Sequence, residues 1–144
     1  MAAPKFCNVD LDIESKHDLA VLQAELGRNV VVLTGGPVRP GCFLLRLEIA
    51  GECDNPDDTI CALCSLLERL SAERRRAWHA AHKKEFDVGC DAVQSQFASQ
   101  FSLRNATLKR ISNLDATLGV TFYYHSKNEL NAPAKPTPPK RRGK

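Results

Sequence analysis

Four residues in the middle of the chain have the types of a metal site: Cys61 and Cys64, then His79 and His82. Thiolate and imidazole match a borderline-soft ion, and Cys2His2 is a sound tetrahedral set for zinc. If the two segments form an antiparallel helical hairpin turning near Ser71, the pairs come level with each other. The pattern departs from a zinc finger in two ways: no turn surrounds the cysteines, and two residues separate the histidines, where three to five are usual. The plainer reading is a core Cys64 with exposed histidines. Redox work by Cys61-Ala62-Leu63-Cys64 is not expected, because a reactive first cysteine belongs at a helix N-terminus, and this pair lies in mid-helix.

A second constellation is acidic. Alternation along the strands turns Asp10, Asp12, Glu14, Glu48, Asp87 and Asp91 away from the core. If those strands are neighbours, several carboxylates share one surface, which suits a divalent cation or a basic partner. Solvated acids on the open side of a sheet are the bland alternative. A third feature is basic. Residues 131–144 contain Lys135, Lys140, Arg141, Arg142 and Lys144 and no acid. Lys140, Arg141, Arg142 and Lys144 can touch phosphates without sequence selectivity, although no stacking aromatic accompanies them. Gly35-Gly36-Pro37 lacks the lysine and helix of a phosphate loop.

These side chains need elements to hold them. Cys7 to Glu14 alternates strictly, with Cys7, Val9, Leu11 and Ile13 on one side: a half-buried strand. Ser15 with Asp18 signals a helix start, Leu19, Leu22 and Leu26 give its stripe, and Gly27 stops it. Val30 to Leu33 is a short apolar strand, broken by Thr34-Gly35-Gly36-Pro37. Cys42 to Ile49 alternates again. Asn55-Pro56-Asp57-Asp58 opens a helix striped by Ile60, Leu63, Cys64, Leu67 and Leu70. Ser71 caps a second helix through Trp78 to about Lys84, decorated by Arg74, Arg75, Arg76, Lys83 and Lys84 as a solvated face. Strands follow at Glu85–Asp91 and Phe97–Leu103, then a helix with Leu108, Ile111 and Leu114. A closing strand, Thr117–Tyr124, turns Leu118, Val120, Phe122 and Tyr124 inward.

The resulting order is β-α-β-β-α-α-β-β-α-β, an α+β domain with a largely antiparallel sheet and helices packed on one face. The stretch Val9 to Leu33 is echoed weakly by Phe101 to Tyr124, which suggests two βαβ-like halves around a helical pair. The 144 residues fit one domain, taken as 1–130, followed by a disordered, Pro-rich basic tail at 131–144. The net charge of +3 belongs to that tail, since the other 130 residues carry 15 basic and 17 acidic side chains, a net of −2. No apolar run approaches a membrane span and no signal peptide is visible at Met1–Phe6, so a cytoplasmic protein is expected. There the six cysteines (Cys7, Cys42, Cys53, Cys61, Cys64 and Cys90) need no disulfide framework.

Glu85-Phe86-Asp87-Val88-Gly89, after Trp78 and a basic helix, and Phe101-Ser102-Leu103-Arg104 through Leu118-Gly119-Val120-Thr121-Phe122-Tyr123-Tyr124 resemble small uncharacterised bacterial α+β proteins. The motifs are structural, and the resemblance carries no activity. Proteins of this layout are similar to immunity proteins that block toxins, an analogy of fold alone. The leading expectation is therefore a non-enzymatic protein-binding module without cofactor. It is based on the acidic sheet face (Asp10, Asp12, Glu48, Asp87, Asp91), and another protein is the expected partner. The alternatives are a metal-binding protein or metal-dependent enzyme using the Cys/His set or the acids, and a nucleic-acid-associated protein using the tail. Neither a membrane partner nor an oligomeric state is indicated.

Overall fold

The computed structural model describes residues 5–92 and 100–124. The chain runs β1 (Lys5–Ser15), α1 (Ala20–Leu26) with a 3-10 turn at Gly27–Asn29, β2 (Val30–Arg39), β3 (Cys42–Ile49) and α2 (Pro56–Glu68). Then come α3 (Ala72–Ala80), β4 (Lys83–Ala92), α4 (Asn105–Asn113) and β5 (Thr117–Tyr124). The five strands form one sheet in the order β2-β3-β1-β4-β5. β1 pairs antiparallel with both β3 and β4, β2 antiparallel with β3, and β5 parallel with β4. The class is α+β, as the pattern of periodicities indicates.

Alternation in the central strands decides which side is buried. Val9, Leu11 and Ile13 of β1, Leu45 and Leu47 of β3, and Phe86, Val88 and Cys90 of β4 enter one core with Leu22 and Leu26 of α1. Ile60, Leu63, Cys64 and Leu67 of α2, Trp78 of α3 and Ile111 of α4 complete it. The four helices of the described residues therefore lie on one face, and none of them lies on the other. Local signals hold the helices in place. The Asn55 side chain accepts from the Asp58 amide at 2.9 Å, with Pro56 opening α2. Ser71 accepts from the Arg74 amide at the start of α3. The Trp78 indole donates to the Leu114 carbonyl at 2.9 Å, which ties α3 to the turn before β5. Arg110 grips Glu68 at 2.6 Å, and Arg104 pairs with Asp57, so α4 is clamped along α2.

Four details differ from the sequence expectation, each for a physical reason. Ser15 ends β1 instead of capping a helix. Its hydroxyl accepts from the His17 amide, Asp18 accepts from the Ala20 amide, and α1 starts a turn later. β2 continues through Thr34-Gly35-Gly36-Pro37 to Arg39, with register shifts at Val32/Thr34 and Pro37/Arg39. An outermost strand tolerates proline and bulges because half of its backbone groups meet no neighbour. α3 stops at Ala80, since Lys83 and Lys84 pair with Glu14 and Ile13 in the first rungs of β4.

The expected strand Phe97–Leu103 is absent where described, at residues 100–103, and its beginning lies outside the described residues. β5 runs parallel to β4, so the chain must cross back over the sheet before β5 begins. Phe101 and Leu103 pack partly buried against the core on the way. The echo of Val9–Leu33 in Phe101–Tyr124 therefore fails, because its first strand is missing among the described residues; what the fold does contain is a β4-α4-β5 unit with two adjacent parallel strands. The first unit, β1-α1-β2, is parallel as well but split by β3.

Candidate acidic sheet face

The open face follows from the register of the three central strands. Asp12 stands beside Arg46 on β3 and Glu85 on β4, while Asp10 stands beside Asp87. Glu48 joins them from β3, where the Asn8 amide reaches its carboxylate at 3.4 Å and that of Asp10 at 2.7 Å. Asp91 lies at the far end of β4, beside Tyr123 of β5. The expected set Asp10, Asp12, Glu48, Asp87 and Asp91 is thus gathered on one side of the sheet. Glu85 belongs with it, and the alternation that singled out Asp87 points to Glu85 equally. Glu14, by contrast, sits at the opposite end beside Lys83.

Arg46 forks onto Asp12, with Nε at 2.7 Å and an Nη at 3.2 Å, which satisfies a carboxylate that is almost fully buried. That pair uses the one guanidinium at the centre of the acids. Burial first, then the charges of Asp12 and Glu48, push the Asp10 carboxyl up to about 6 against an ordinary value of 3.8, despite the opposing pull of Arg46. Burial and like charge thus favour the protonated form of Asp10.

The acids of β4 lean towards β5. The Thr121 hydroxyl donates to both oxygens of Asp87, at 2.8 and 3.0 Å. The Glu85 carboxylate lies over Gly119, where a methyl group would sit only 3.1 Å from its carboxyl carbon. The ring of Tyr123 lies similarly over Gly89, 3.2 Å from where a methyl would stand. Two glycines thus make room for a carboxylate and an aromatic ring. Their spacing could have flagged this, but only once the β4–β5 register was known. On its helix side β5 is barely covered: Val120, Phe122 and Tyr124 are 41%, 54% and 73% exposed. The expectation that they point inward holds for direction and fails for burial, because β5 is an edge strand.

The other candidate sets fare differently. Among the described residues no three His, Cys, Asp or Glu side chains come together to hold a metal ion, so Cys61, Cys64, His79 and His82 form no ligand group. Cys64 is fully buried, and burial pushes its thiol up to about 12. Cys61 turns towards α4, with its sulfur 3.2 Å from the Thr107 hydroxyl and 3.7 Å from an Arg104 nitrogen. His79 and His82 are exposed. α3 packs against α1 rather than returning along α2, and this parts the two pairs. Lys140, Arg141, Arg142 and Lys144 lie outside the described residues, as does the boundary at 130/131. No helix is long and apolar enough to cross a membrane. Comparison of the chain with protein-family models, curated proteins and solved structures finds no match.

Proposed function

We propose that this protein is a non-enzymatic binding module, of the inhibitor or adaptor kind, that meets a basic partner protein with the open face of its sheet. One observation supports the reading above all: among the described residues the helices pack on one side, and the other side gathers Asp10, Asp12, Glu48, Glu85, Asp87 and Asp91 near Arg46, Asp12 and Glu48 being buried there and the rest partly exposed. A surface of one sign steers and selects partners of the other. An arriving cation would offset the like charge that crowds the partly buried Asp10. The test is capture from the native cell with the full chain beside its Asp87→Lys/Asp91→Lys variant, at low and high salt. A partner held by the native chain, lost with the variant and weakened by salt is expected. Capture of the same proteins by both chains would refute the reading.

A further inference from the structure

We propose that β5 is a docking edge, which takes an extended segment of a basic partner protein into the sheet as a further strand whose side chains alternate basic and apolar. The proposal rests on the acidic-face reading above and adds the manner of engagement. β5 pairs with β4 alone, so among the described residues its outer backbone groups face no strand. Its register with β4 is unbroken from Thr117 to Tyr124, with no proline, bulge or lysine to deter pairing. Main-chain bonds along such an edge supply affinity, and alternate side chains supply selectivity.

The two sides of β5 specify that alternation. On the helix side, Val120, Phe122 and Tyr124 extend the buried row of Phe86, Val88 and Cys90 into solvent and offer apolar contact. On the open side, Glu85 over Gly119 and Asp87 on Thr121 bring two carboxylates up to the edge. An added strand would lie about 4.8 Å beyond β5 and about 10 Å from β4. A lysine or arginine stem can span that distance across the small residues Gly119 and Thr121. Every second residue of the incoming strand then meets an aromatic or aliphatic side chain, and the residues between meet acid.

The test uses the full chain and two labelled eight-residue probes, one alternating lysine and valine and one with four lysines followed by four valines. Binding is read by fluorescence anisotropy and by amide hydrogen exchange. The alternating probe is expected to bind at least tenfold tighter and to slow exchange in Val120–Tyr124 but not in β2. Phe122→Glu, and separately Val120→Glu, should each lose at least tenfold while circular dichroism stays native. Equal binding of both probes, lost in Asp87→Asn/Asp91→Asn, would overturn the docking edge and leave the acidic-face reading standing. No binding of either probe would overturn both. β5 amides already protected without probe, in a monomer or in a dimer, would show the edge filled by this chain itself and overturn the proposal.

Discussion

β2 and β5 are both outermost strands, and among the described residues each has a strand on only one side of its backbone. β2 reaches solvent through two register shifts, a Gly35-Gly36 pair and Pro37, so no straight run of amides is left for another chain. β5 has none of these devices. It is regular and aromatic, with Val120, Phe122, Tyr123 and Tyr124 all exposed. Edges are normally blunted because they invite pairing. A sheet that blunts one edge and leaves the other regular fits the docking proposal, with Glu85 and Asp87 turned towards the regular one.

The sharpest way to break the contrast is to give β5 what β2 already has. Thr121→Pro removes the hydroxyl that serves both oxygens of Asp87 and stiffens the edge strand, and it should cost about 2 kcal/mol by chemical denaturation. A mild effect would mean that β5 contributes little to the fold. Gly119→Val comes next: it forces the Glu85 carboxylate aside and should destabilise by about 1–2 kcal/mol. Adding Glu85→Ala should recover most of that loss, and a purely additive double mutant would show that the close approach is not the cause.

Behind β5, Asp10→Asn tests the crowding of charge. Because the folded carboxyl titrates near 6 and the unfolded one near 3.8, its ionisation weakens the fold. The native chain therefore gains stability from this group as pH falls from about 6 towards 4 and gains nothing further below that. The two values bound the effect at about 3 kcal/mol, and screening at this partly exposed site reduces it to about 1 kcal/mol. The variant should be more stable than the native chain at pH 7 and equal to it near pH 3, measured by thermal or urea unfolding. The smallest effect is expected from Phe122→Lys, within about 0.5 kcal/mol in stability because the ring is half exposed. If it unfolds the protein instead, the strand is more deeply packed than its exposure indicates.

Much of this layout was legible in the sequence, and the limits have physical causes. The strict alternation of β1, β3 and β4 identified both the core row and the acids opposite. Alternation carries no information about which strands are neighbours, so the meeting of Asp12 with Arg46 and Glu85 had to come from the fold. Gly35-Gly36-Pro37 reads as a break because those residues break central strands, and an edge position removes the objection. Phe101 and Leu103 mimic a strand because a crossing segment must also hide apolar side chains. The Cys/His set failed because two successive helices need not lie side by side. The exposure of Phe122 was invisible for a related reason: an apolar row looks the same in sequence whether or not a helix covers it.

The bond from the Trp78 indole to the Leu114 carbonyl gives the molecule an optical handle. Trp78 is the sole tryptophan of the chain. Its ring is shut away from water, with the Lys84 ammonium 5.9 Å from its centroid and its nitrogen fixed to the residue that leads into β5. Indole emission from the native protein thus comes from a single chromophore, placed between α3 and the turn that leads from α4 into β5. Anything that loosens that junction should shift the spectrum to the red before the rest of the sheet gives way.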